Sequence, residues 1–169
     1  MIGLSPPSDP ANPSHDRYDE RYLAGIVHFN RAEYFEAHEV WEDIWMDCLG
    51  ADRRFYQSLI QAAVALYHWG NGNRAGAVRL FASGRRYMEP YRPVHRGLDV
   101  NQFWGQVEAA LAPALSGEPS PDPALRADAG EGHDIVPDRP PMIALNPPPD
   151  LWPEPQPPDL PPTAGVSHE

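Results

Sequence analysis

An all-α fold, a five-helix bundle of antiparallel helical hairpins followed by a proline-rich and mostly irregular tail, is predicted by three features of the 169-residue sequence. Apolar residues recur at helical spacing in five segments between His15 and Leu111. Gly, Asn or Pro stands between one segment and the next. Only Pro90 and Pro93 interrupt the stretch from Tyr18 to Ala112, whereas proline is dense from Pro113 to Pro162. There the missing N–H donors and the restricted preceding residues cannot sustain helix. The expected organisation is a loose arm over 1–14, a bundle domain over 15–115, and an acidic tail over 116–169, partly extended over the bundle or disordered.

The first helix is expected over His15 to Phe29, on the stripe Tyr18, Tyr22, Ile26 and Phe29 widened by Leu23 and Val27. Asn30 can end it and help to cap the next. The second runs from Glu33 to Cys48, acidic in its first turns as the macrodipole favours, and Gly50 stops it. Asp52 is the expected N-cap of a third helix, Arg53 to Trp69, which is apolar nearly all round and therefore central. Asn73 opens a fourth, with Ala77, Leu80, Phe81, Gly84 and Met88 inward, ending before Pro90. Asp99 and Gln102 have capping-box character before a fifth, carrying Val100, Phe103, Trp104, Val107 and Leu111 and closed by Pro113. In the tail, Asp134 to Leu145 alone has apolar content. Asn-Arg-Ala occurs at Asn30 to Ala32 and at Asn73 to Ala75, a short echo that two helical hairpins of similar build would explain.

The formal charge of −11 concentrates in the tail, and no basic stripe with interleaved aromatics offsets it, so nucleic acid is not an expected partner. Cys48, the single cysteine, excludes an internal disulfide and any multi-cysteine metal site. No targeting region at the start and no apolar stretch of membrane-crossing length is evident, so no membrane partner is expected and a cytoplasmic location is.

The chemistry is expected on the second and third helices. At about 100° per residue, Tyr34, His38, Trp41, Glu42 and Trp45 share one face, with Glu39 at its border. On the third helix Gln57, Gln61, Val64 and His68 form one narrow stripe. Buried polar groups must find partners, so the two stripes are expected to face each other inside the bundle. Three readings follow. In one, the glutamines and His68 donate to Glu42 and the network only fixes register. In another the cluster binds a small polar ligand. In the third, His38, Glu42 and His68 hold a divalent metal such as zinc, manganese or iron, with Glu39 as general base by analogy with the H-E-x-x-H pattern, and Gln57 and Gln61 orienting. His15, His28, His95, His133 and His168 read as surface histidines, Cys48 as a small buried filler. Arg74, Arg79, Arg85 and Arg86 are expected to pair with carboxylates.

The run Phe29-Asn30, Tyr34-Phe35-Glu36-Ala37-His38-Glu39-x-x-Glu42-x-x-Trp45, Gln57-x-Leu59-Ile60-Gln61-x-Ala63, His68, Gly72-Asn73 and Gly76-Ala77 resembles the family catalogued as domain of unknown function 309, over about residues 20 to 90. The resemblance implies a compact bacterial or archaeal helical bundle without settled activity, sometimes labelled a metal-dependent hydrolase. Its polar signature falls on His38, Glu39, Glu42, Gln57, Gln61 and His68. Ala32 departs from the Gly that the family usually shows in the turn before Tyr34. The alternative to a hydrolytic or ligand-binding site is an interaction or homodimerisation module in which the polar cluster is structural and aromatic surface, such as Trp69 and Trp104, meets the partner.

Overall fold

The computed structural model describes residues 18–120, 137 and 139–154. Six helices follow in order: α1 (Glu20–Asn30), α2 (Tyr34–Asp47), α3 (Arg53–Gly70), α4 (Arg74–Met88), α5 (Val100–Ala110) and the single turn α6 (Ala112–Leu115). Between α4 and α5 a 3-10 turn, Glu89–Tyr91, leads into two-residue strands β1 (Val94–His95) and β2 (Leu98–Asp99), paired antiparallel. The bundle is all-α as the periodicity requires. α1 starts at Glu20 because the Asp19 carboxylate accepts from Arg21 N at 2.9 Å; the expected start at His15 lies outside the described residues. Asn73 caps α4 through Gly76 N, and Asp99 caps α5 through Gln102 N, both at 2.9 Å.

The turns α1–α2 and α3–α4 are the same structure. His28 O accepts from Glu33 N at 3.0 Å while Phe29 O accepts from Ala32 N; His68 O accepts from Asn73 N at 2.8 Å while Trp69 O accepts from Gly72 N. Each is a Schellman pair with its left-handed residue at Ala32 (φ 61°) or Gly72 (φ 83°). Ala32 therefore stands where glycine is preferred, at a cost of about 1–2 kcal/mol, which its buried methyl partly offsets. The hairpin repeat is thus real at an offset of forty residues, His28 on His68, and not at the Asn-Arg-Ala echo: Asn30 is the last residue of α1, whereas Asn73 precedes α4.

α2, α3 and α4 lie side by side as a layer, and α1 and α5 cover its inner face. Gly25 of α1 abuts the indole of Trp41, Phe29 meets Tyr34 and Phe103 with ring centroids 5.4 and 5.7 Å apart, and Phe81 meets Trp104 at 5.7 Å. Ser58, fully buried, ties α3 to α4 by donating to Gly84 O at 2.7 Å. Asp52 precedes α3 but does not cap it. Its carboxylate instead accepts from His95 Nε2 at 2.8 Å and Arg96 Nε at 2.6 Å, which anchors the β1–β2 hairpin to the layer.

Residues 139–154 form an extended strap over α1, α5 and the hairpin. The Asn30 amide brackets Ile143, donating to its O at 2.9 Å and accepting from its N at 2.7 Å. Met142 N reaches Gln106, Asn146 N reaches Gly97 O, and Leu145 bridges Leu98. Ile143 and Leu145 are buried. Ile135, Val136 and the arm 1–14 lie outside the described residues.

Candidate functional site

The six signature residues come from α2 and α3, and none is buried. His38, Gln57, Gln61 and His68 are half-buried, while Glu39 and Glu42 are exposed. The expected burial is thus corrected: the stripe is at the layer's outer side. α3 buries every direction except that of Arg53, Arg54, Gln57, Gln61, Val64, Tyr67 and His68. α2 flanks this strip on one side, where Phe35 meets Tyr67 at 5.5 Å and Arg53 lies over Trp45 at 3.9 Å. α4 flanks it on the other, where Ser83 Oγ donates to Gln61 Oε1 at 2.8 Å and Arg54 lies over Tyr87 at 5.2 Å. The signature side chains consequently share one face on which none of them is buried. They do not form the closed network expected: Gln61 is bound to Ser83 of α4, and no hydrogen bond joins Glu42 to Gln57, Gln61 or His68 among the described residues.

Both histidines of the expected metal set have a partner within the protein. Asn73 accepts Gly76 N with its oxygen, so its amide nitrogen must donate to His68 Nδ1, 3.3 Å away. That engages the one lone pair of the neutral ring and puts its proton on Nε2. Burial, then the Arg79 charge, lower the His68 pKa and favour this neutral form. The Nδ1 of His38 donates to Phe35 O, which leaves its Nε2 as an acceptor. Among the described residues no group of three or more His, Cys, Asp and Glu side chains is arranged to hold a metal ion. Among the described residues no helix is long and apolar enough to cross a membrane.

Other sequence expectations also move. Trp69 and Trp104 are buried and offer no surface aromatic. His28 pairs with Glu33 at 2.6 Å and His95 with Asp52, so neither is a plain surface histidine; His15, His133 and His168 lie outside the described residues. Of the α4 arginines, Arg85 meets Glu108 at 3.6 Å, but Arg74 donates to Ala114 O, and Arg79 and Arg86 have no carboxylate partner among the described residues. Ser83, Tyr87 and Arg54, unrecognised in the sequence, complete the face. Ser83 and Tyr87 follow Leu80 at spacings of three and seven, the signal that could have placed them together. Two clefts, of about 330 Å³ against Ala24, Val27, His28 and Val40 and about 100 Å³ against Tyr18 and Leu23, lie between α1 and the strap at Pro153.

Residues 22–80, from the start of α1 into α4, match the family described as Domain of unknown function (DUF309). Over that segment the chain is similar to DUF309. The match covers α2 and α3 in full, and with them all six signature positions of the outer face. A relative, the uncharacterized protein YpuF of Bacillus subtilis (strain 168), is 39% identical over 74 residues, which is 43% of this chain and 42% of that protein. The chain therefore spans less than half of YpuF. The matched segment ends within α4, so Ser83 and Tyr87, the β1–β2 hairpin, α5 and the strap lie beyond it.

Proposed function

We propose that this chain is a non-catalytic helical interaction module whose binding surface is the outer face of α2, α3 and α4. The carrying observation is the direction of the polar stripe: His38, Glu42, Gln57, Gln61 and His68 line an open face that retains unused hydrogen-bonding capacity. Its α2 rim adds apolar surface, with Phe35 41% and Met46 68% exposed. An open amphipathic face of this kind suits a protein partner better than a small ligand, which needs concave enclosure. A metal-dependent hydrolase, with His38, Glu42 and His68 on zinc, manganese or iron and Glu39 as base, would need a His68 lone pair that Asn73 already engages.

The test places a photo-crosslinking amino acid at Phe35, at Met46 and, on the far side, at exposed Ala109 of α5, in cells producing the full chain. Adducts of one mass are expected from positions 35 and 46 and not from 109. Absence of adducts, or equal capture at 109, refutes the assignment. In parallel, added zinc, manganese or iron should leave the melting temperature of the wild type and of His38→Ala unchanged. A metal-induced rise that His68→Ala abolishes would restore the metal reading.

A further inference from the structure

α2 and α4 are the two edges of one layer, and their charges are opposite. α2 carries Glu36, Glu39, Glu42, Asp43 and Asp47 and no arginine; α4 carries Arg74, Arg79, Arg85 and Arg86 and no carboxylate. Asp47, Arg85 and Arg74 have partners at Arg21, Glu108 and Ala114 O. Glu39, Glu42, Arg79 and Arg86 are exposed and have no ion-pair partner among the described residues. At 100° per residue Glu39 and Glu42 look outward from α2 together with Phe35 and Met46. Arg79 and Arg86 look outward from α4: Arg79 perturbs His68, and Arg86 lies 5.6 Å from the Tyr87 ring.

A face with one acidic and one basic edge is complementary to itself under one operation. When two copies meet face to face about a twofold axis running along α3, α2 of each covers α4 of the other, and the favourable contact is made twice. An axis across α3 would stack α2 on α2, carboxylate against carboxylate. We infer that the outer face is an interface between two copies of this chain, joined isologously with α2 of each on α4 of the other. This rests on the interaction-face reading and supplies its partner.

Size is consistent with such a contact. Helices of 14, 18 and 15 residues rising about 1.5 Å per residue and packed about 9 Å apart present on the order of 600 Å² in projection. That approaches the roughly 800 Å² of accessible surface per partner of a standard interface. Exposed ion pairs add little affinity each. They set orientation and register, while Phe35 and Met46 supply apolar area against Leu80 and Tyr87.

Sedimentation velocity on the full chain tests the pairing. The wild type should dimerise, with a dissociation constant that rises at least about tenfold between low and high salt. Glu39→Arg with Glu42→Arg makes both outer edges basic, and Arg79→Glu with Arg86→Glu makes both acidic. Each variant alone should be monomeric where the wild type is dimeric, with unchanged helical circular dichroism, and an equimolar mixture should form a heterodimer. A monomeric wild type, salt-independent association, or reversed variants that dimerise as the wild type does would overturn it, as would a mixture no more associated than its components. If the wild type is monomeric while crosslinks from Phe35 and Met46 reach a different protein, the self-pairing falls and the interaction face stands.

Discussion

At Gly25 a methyl group would stand 2.0 Å from Nε1 of Trp41, an indole that is fully buried and donates to Tyr22 O at 3.3 Å. The absence of a side chain lets α1 approach α2, and the indole has no room to withdraw. Gly25→Ala should therefore destabilise the protein by about 1–3 kcal/mol, lowering the melting temperature by several degrees. A melt superimposable on the wild type would show that the contact relaxes freely. Asp52 offers a second case. Burial raises its pKa, but hydrogen bonds and charge from Arg96 and His95 outweigh this, and the net value falls below its ordinary 3.8. A depressed carboxylate contributes stability that is present above its unfolded value and lost as pH falls through the folded one. Asp52→Asn should cost about 1 kcal/mol at neutral pH after allowance for solvent screening, and that difference should shrink below about pH 4. A gap that persists to pH 2 in denaturation curves would show that the carboxylate charge is not its source. Sequence alone names Asp52 as an N-cap, because local pattern cannot reveal a hairpin more than forty residues away competing for the same oxygens.

Helices α2 to α5 were legible because their inner stripes repeat every three to four residues and capping side chains mark two of their starts. The repeated turn was not legible in its true register. What the two turns share is a backbone hydrogen-bond pattern, with a histidine at C3 and one left-handed residue, and Ala32 against Gly72 hides the likeness. The strap was legible only as an apolar patch, since it is held largely by main-chain groups and by Asn30, whose sequence context suggests a cap. Asn30→Ala removes both hydrogen bonds to Ile143. At a net worth of about 0.5–1.5 kcal/mol each, their loss should accelerate amide exchange of Ile143 about tenfold or more while leaving α3 amides protected. Unchanged exchange at Ile143 would mean that apolar burial of Ile143 and Leu145 suffices to hold the strap.

Across the whole molecule, the sequence identifies which polar residues share a face and misjudges where that face looks. The reason is geometric. α3 is the middle helix of a three-helix layer, covered by α1 and α5 on one side and flanked by α2 and α4, so only a narrow strip escapes. On a helical wheel such a strip is indistinguishable from a buried polar seam, because both are thin lines of Gln and His on an apolar cylinder. Direction depends on which neighbours close over the layer, and the covering helices lie before and after it in the chain. The strap has a consequence of another kind. Its hooks, at Tyr18, Asn30, Gly97, Leu98 and Gln106, lie on or beside α1, the hairpin and α5. It therefore fastens parts of the molecule as far as 129 residues apart in sequence, so that α1, the hairpin and α5 are clasped together by one late stretch of chain.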